Sequence, residues 1–261
     1  MLSVDQIEAI AFDGYGTIFN FTEPDFIASM AEICDQQQLA ADAADLWRRF
    51  LRAALHFRSE NHDEPTYRRY DEAWAIQFER VFKRLHLPGD AWAAANHLKR
   101  RLADAPAFDE VHAVMEALRP HYRLALLSNA DDDFLTACLA HNSLEFETVV
   151  TSEQAGAIKP DPAIFLHLSR LLELLPEQIL YVGDNPVPDV LGPSRAGMKS
   201  AWVNRFALRK SRKAPHPDIR VRSLSELVPL LVPRLTDRLT QRSQNPKVNN
   251  SLCQSVPSVD N

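Results

Sequence analysis

Asp13, Ser128, Lys159, Asp184 and Asp189 each stand in a short polar run that directly follows an apolar, β-branched stretch. Their types suit the binding of an anion beside a hard cation. The first run, Phe12-Asp13-Gly14-Tyr15-Gly16-Thr17, has two glycines that let the backbone turn sharply and aim exposed N–H groups at an anion. Asp13 then projects into the site, although an aspartate at a strand-to-turn transition is also an ordinary turn former. The second, Ser128-Asn129, offers a hydroxyl and an amide that hydrogen-bond anionic oxygens without adding charge; Ser128 is equally suited to capping a helix. In the third, Ala157 to Pro162, proline presets the start of a helix and sets Lys159 where its ammonium can meet both a carboxylate and a bound anion. The fourth, Gly183-Asp184-Asn185-Pro186-Val187-Pro188-Asp189, carries two carboxylates able to converge on one cation with oxygen ligands, which suits Mg²⁺. Asp189 alone is also a reasonable helix cap.

Such residues reach one site only if the chain gathers the ends of its strands. Five runs alternate with longer helical patterns, at Ile7–Phe12, Tyr122–Leu127, Phe146–Val150, Ile179–Val182 and Ser200–Val203. That alternation predicts an α/β fold, a Rossmann-like parallel sheet covered by helices. A weaker run, Ile219–Val221, is a candidate edge strand. Ligands in such sheets bind at the carboxyl edge, where all four polar runs fall. Between the first two strands about a hundred residues show three- and four-residue apolar steps at Phe26–Leu39, Ala41–Phe57, Arg68–Leu85 and Asp90–Leu102, which predicts an inserted cap of four helices. Pro65, Pro88 and Pro106 punctuate it. The expected organisation is a core from 1–20 and 105–235, a helical cap at 21–104 and a disordered polar tail at 236–261.

Composition narrows the function classes. With 261 residues, 46% of them hydrophobic, the chain can bury a large core, and no apolar run approaches the roughly 18 residues of a membrane span. Acidic residues precede the first apolar run and no basic head stands before it, so no signal peptide is expected and the cytoplasm is the default location. Cys34, Cys138 and Cys253 form no C-x-x-C pair, which points to reduced thiols rather than a disulfide framework or zinc. A formal net charge of −6 opposes nucleic-acid binding. The basic stretch Arg205–Arg212 reads as a solvated loop, with an anion-facing patch as the alternative. The oligomeric state is left open by the sequence.

Asp with Gly-Thr, then Ser, then Lys-Pro, then Gly-Asp with a second Asp is an order that resembles the haloacid dehalogenase-like superfamily, over roughly Ile7 to Leu231. The resemblance implies a hydrolase acting on a small anionic substrate. Asp13 is then the nucleophile that forms a covalent ester, Thr17, Ser128 and Asn129 hold the transferring group, and Lys159 balances charge. Asp184 and Asp189, with Asp13 and the backbone carbonyl of Tyr15, serve Mg²⁺. The helical insertion looks like the cap of one branch of that family.

Two departures set the chemistry at issue. Phosphatases of the family carry a second aspartate two residues after the nucleophile, as proton donor to the leaving oxygen; here that residue is Tyr15. The run Asp13 to Thr17 instead looks like the D-x-Y-G-T motif of the branch that removes halide from 2-haloacids, and Leu46-Trp47-Arg48 resembles the segment whose arginine meets the substrate there. Against this, Phe165 stands where that branch has a tyrosine, and Gly183 to Asp189 looks like the phosphatase form. A phosphoryl group is anionic and needs a cation to admit a carboxylate nucleophile, whereas displacement of halide needs a bare carboxylate. The acidic pair therefore leads to phosphoryl hydrolysis as the first expectation, with metal-free 2-haloacid dehalogenation as the alternative and a non-catalytic scaffold as the third. Loss of a general acid costs about 10²- to 10⁴-fold in rate, so the expected substrate has a good leaving group.

Overall fold

The computed structural model describes residues 6–60, 67–209 and 211–232; Pro65, Cys253 and the expected disordered tail lie outside them. Six parallel strands form one sheet: β1 (Ala9–Phe12), β2 (Arg123–Ser128), β3 (Thr148–Thr151), β4 (Ile179–Gly183), β5 (Lys199–Val203) and β6 (Ile219–Val221). Their order is β3-β2-β1-β4-β5-β6. The weak sixth run is thus an edge strand, pairing Val203 with Val221. β1 begins two residues later than expected, and β3 is displaced two residues toward its carboxyl end at its start.

Side-chain alternation explains why these segments are strands. Ile10 and Phe12, Leu124 and Leu126, and Leu180 and Val182 pack into one apolar cluster, while Ala9 and Ala11, Ala125 and Leu127, and Ile179 and Tyr181 pack into another on the opposite face. Both faces are covered, so every residue of β1 and β4 is buried. The order reverses at β1, whose neighbours β2 and β4 lie on either side. A crevice forms at such a switch point, beyond the strands' carboxyl ends.

The insertion between β1 and β2 contains α1 (Glu23–Gln37), α2 (Ala43–Glu60), α3 (Tyr70–Leu85) and α4 (Ala91–Ala103), as the apolar periodicity predicts, with α5 (Val111–Leu118) following. Local chemistry fixes their ends. Asp25 Oδ2 accepts from the Thr22 N–H at 2.8 Å at the start of α1, Asp90 Oδ1 accepts from Ala93 N at the start of α4, and His86 stops α3 in a left-handed turn. The periodic faces bury Ile33, Leu46, Phe50, Phe78 and Leu98 in the same cluster as β1's Phe12. Cap and core therefore share one apolar interior. On the core side, α6 (Asp132–His141), α7 (Ser152–Ala155), α8 (Pro162–Leu172), α9 (Gly192–Ala196) and α10 (Val228–Leu231) complete the layers. α8 ends at Leu172, because Glu173 turns left-handed. No helix among the described residues is long and apolar enough to cross a membrane.

Candidate active site

β1 delivers Asp13 directly, because the Asp13 N–H extends the sheet to Val182 O at 2.8 Å and keeps the alternation of Ala9 and Ala11. Its neighbours come from the ends of β2 and β4 and the loop before α8. Lys159 Nζ lies 2.5 Å from Asp13 Oδ1 and 2.7 Å from Asp189 Oδ1, and it donates to the Tyr181 hydroxyl at 2.9 Å. Tyr181 in turn donates to Leu127 O at 2.9 Å. Burial works against the Lys159 ammonium, but Asp13 and Asp189 outweigh it and hold the amine well above its ordinary value. The lysine is a fixed cation.

One carboxylate oxygen from each of Asp13, Asp184 and Asp189 lies within 4.8 Å of the others. Burial, then repulsion by Asp189 and Asp13, pushes Asp184 well above the carboxylate range. Asp189 is pushed up to about 6 by burial, with Lys159 pulling down and Asp13 pushing up. Three carboxylates face one ammonium, so ionising all three would leave two negative charges uncompensated in a desolvated place, which is why Asp184 and Asp189 are pushed up. A divalent cation with oxygen ligands fits that donor set. Asp189 Oδ1 is shared with Lys159, and its Oδ2 accepts from Asn185 N at 2.9 Å.

The backbone makes this crowding feasible. Gly16 has φ +91°, and a Cβ there would sit 2.7 Å from Asp184 Oδ2. At Gly183 a Cβ would come within 2.4 Å of the Asp189 Cβ. Only glycine allows those two loops to approach. Asp189 itself lies in a single π-type turn, Val187–Leu191, where Leu191 N reaches back five residues to Pro186 O; such turns frequently accompany functional sites. Trp202 from β5 donates its indole N–H to Asp184 O at 2.7 Å, bracing the acidic loop from below.

Several expected roles change in the structure. Thr17 is fully buried and donates to Asp13 Oδ2 at 3.3 Å; it braces the carboxylate instead of reaching the cavity. Ser128 and Asn129 do line the cavity. The Asn129 amide, however, is engaged at both ends by Lys159, accepting from its N–H at 2.8 Å and donating to its carbonyl at 3.3 Å. Arg48 is not brought to the site at all. It points to solvent and pairs with Asp45 at 3.3 Å, because α2 turns Leu46, Trp47 and Phe50 inward and position 48 falls on the outer side of that arc.

Tyr15 turns its ring toward the cap, stacking obliquely on Phe19 and Phe134, and donates its hydroxyl to Leu102 O at 3.2 Å. Burial first, and then the Cys138 thiol, pushes the phenol well above its ordinary value. It is no substitute for a carboxylic proton donor. Arg205, from the basic stretch, is neither a solvated charge nor an anion site. It pairs with Glu110 at 2.5 Å, donates to Thr17 O at 3.1 Å and covers the Phe108 ring at 3.8 Å, clamping the loop that carries Asp13.

The sequence reading missed Tyr181, Trp202, Phe206 and Leu208. Tyr181 and Trp202 sit inside strands, where an aromatic is the expected packing residue. Phe206 and Leu208 were masked by the basic residues around them, yet both line the cavity above Asp13. Two apolar residues in a polar loop are the signal that could have found them.

Comparison with known proteins places the chain among relatives of one family. The family model of the haloacid dehalogenase-like hydrolases matches residues 7–197. Haloacetate dehalogenase H-2 of Moraxella sp. is 29% identical over 232 residues, covering 87% of this chain and 98% of that protein. Phosphoserine phosphatase of Thermus thermophilus is 37% identical over 167 residues, 59% of this chain and 66% of its own length. Among solved structures, the L-2-haloacid dehalogenase of Xanthobacter autotrophicus superposes with a TM-score of 0.73 at 20% identity, covering 86% of this chain and 98% of that one. The magnesium-bound HAD-hydrolase YfnB of Bacillus subtilis gives the same TM-score, identity and coverage. Given the extent of the family match and a six-stranded sheet whose strand ends gather Asp13, Lys159 and the acidic pair, this chain belongs to the haloacid dehalogenase-like hydrolases.

Proposed function

We propose that the chain hydrolyses a small phosphorylated substrate with a good leaving group, through phosphoryl transfer to Asp13 and in the presence of Mg²⁺. The observation that carries this reading is the triad of Asp13, Asp184 and Asp189 within 4.8 Å, facing a single ammonium. Asp13, Asp184, Asp189 and the Tyr15 carbonyl would hold Mg²⁺, which would supply charge neutralisation for an anionic substrate. The chain's own residues do the rest. Asp13 attacks phosphorus with the oxygen not held by Lys159, the Lys159 ammonium holds the nucleophile in place, Ser128 and Asn129 border the phosphoryl oxygens, and the cap keeps bulk water away. Water then cleaves the aspartyl phosphate. Tyr15, held to Leu102 O, offers no proton to the departing group, so the leaving group departs as a stable anion.

A second reading, 2-haloacid dehalogenation, draws on Tyr15 and on the nearly full-length match to haloacetate dehalogenase H-2. The outward course of Arg48 and the convergence of three carboxyl groups within 4.8 Å weigh against it. Phosphate and chloride release from acetyl phosphate, p-nitrophenyl phosphate and L-2-chloropropionate, each with Mg²⁺ and with EDTA, separates the two. Phosphate release that requires Mg²⁺ and vanishes in Asp13→Asn is the expected outcome. Chloride release in EDTA, with no phosphate from either phosphorylated compound, would establish the dehalogenase instead.

A further inference from the structure

Above Asp13 the site opens into a cavity of about 690 Å³, the size that takes a drug-sized ligand. Its outer lobe is walled by Phe21 and Phe26 at the start of α1, Trp47 and Leu51 of α2, and Phe206 and Leu208 from the loop after β5. Three contacts run outward from the nucleophile as an aromatic ladder: Tyr15 on Phe21 at 6.5 Å, Phe21 edge-on to Phe26 at 4.7 Å, and Phe26 stacked flat on Trp47 at 4.4 Å and 9°. Leu51, Phe206 and Leu208 stay 40%, 60% and 48% exposed, although each faces this lobe.

Charge in the cavity is distributed unevenly. Lys159 is the one cation among the described lining residues, and it is already shared by Asp13 and Asp189. Among the described residues the outer lobe adds Glu23 and no positive group. A substrate with a second phosphate or a carboxylate on its leaving group would meet no partner there and would be repelled by Glu23. An uncharged, flat, apolar remainder would instead cover the exposed faces of Phe206 and Leu208 and lie against the Phe26–Trp47 stack.

We propose that the phosphoryl group enters on an aryl alcohol, so that the natural substrates are phosphomonoesters of phenols or similar apolar aromatic hydroxyls. This rests on the phosphoryl-hydrolysis reading above and deepens it. In the first step an Asp13 oxygen forms a bond to phosphorus while the bond from phosphorus to the aryl oxygen breaks, its electron pair leaving on that oxygen. Water then attacks phosphorus, breaks the bond to Asp13 and restores the carboxylate. The aryl oxygen takes up the proton that water gives, and inorganic phosphate and the phenol are the products. No group near the leaving oxygen has to donate a proton, because a phenol ionises near pH 10 whereas the hydroxyl of water, to which alkyl alcohols are close, ionises near 15.7. The absent proton donor and the apolar lobe thus select the same leaving group.

The test compares 1-naphthyl phosphate, glycerol 3-phosphate and acetyl phosphate with the full chain in Mg²⁺, alongside calorimetric binding of 1-naphthol in EDTA, which needs no metal. The expected kcat/KM for 1-naphthyl phosphate exceeds that for glycerol 3-phosphate by about 100-fold or more, the span of leaving-group and apolar contributions combined. The double variant Phe206→Ala/Leu208→Ala, at half-exposed positions that the fold does not need, is expected to lower the ratio of 1-naphthyl to acetyl phosphate turnover by about tenfold and to weaken 1-naphthol binding by a similar factor. Acetyl phosphate hydrolysis without preference for the naphthyl ester, or 1-naphthol binding untouched by the double variant, would overturn the aryl assignment and leave phosphoryl hydrolysis standing. Absence of phosphate release from all three compounds would overturn both.

Discussion

Replacing Lys159 with methionine would leave Asp13 and Asp189 facing each other across a desolvated gap with no cation between them. Breaking a buried pair from one side costs about 3–5 kcal/mol, and urea denaturation in EDTA should show a loss of that order for Lys159→Met. Tyr181→Phe is the milder probe. It removes one acceptor from the ammonium and the donor to Leu127 O, so a loss of about 1–3 kcal/mol is expected, with activity reduced less than in the lysine variant. A Lys159→Met protein as stable as the parent would mean that the three-way contact does not hold the site together. At this scale the sequence was informative where residue type alone decides: two aspartates in a glycine-bounded loop, a lysine before proline, an aspartate after a strand. It was silent on what side chains do once packed. Thr17 and Asn129 have the groups to bind an anion, yet their partners turn out to be Asp13 and the Lys159 backbone, and nothing in a sequence distinguishes a hydroxyl aimed at a ligand from one aimed at its neighbour.

Among elements, the seam between cap and core is the feature that three-residue periodicities cannot reveal. Tyr70 N donates to the buried Asp131 at 2.7 Å, the Tyr67 hydroxyl also reaches Asp131, and Arg69 pairs with Glu153 and with Asp133 at 3.1 Å. Lys99 of α4 reaches Asp133 at 2.9 Å. Burial raises the Asp133 carboxyl, but the Lys99 hydrogen bond and the Arg69 charge outweigh it and hold it below the ordinary range. A depressed carboxyl contributes stability above its unfolded pKa, about 3.9, and loses it as pH falls through the lower folded value. With Asp133 about half exposed, solvent screening limits the worth of these pairs to about 0.5–1 kcal/mol. Asp133→Asn should therefore melt slightly below the parent at neutral pH, and the gap should close as the pH drops below about 4; a difference that widens on acidification would contradict the assignment. Strand identities were readable because apolar alternation on a doubly covered sheet leaves few other options. Helix phase was less so: Arg48 falls two positions after the inward-facing Leu46 and two before Phe50, and its pairing with Asp45 follows from that rotation.

For the whole molecule, order along the chain mattered more than any one motif. Strand ends far apart in sequence meet because β1 lies between β2 and β4, so that Asp13, Lys159 and Asp189, separated by up to 176 positions in the chain, share hydrogen bonds. The insertion after β1 then closes an aromatic lobe over them. Relatives in sequence include both dehalogenases and phosphatases. During turnover Asp13 is expected to become phosphorylated. Rapid acid quench of the protein with acetyl phosphate and Mg²⁺, followed by peptide mass spectrometry, should find a phosphoryl group on the peptide containing Asp13 and nowhere else. A phosphoryl group on another side chain, or phosphate release with no modified peptide at any quench time, would contradict it.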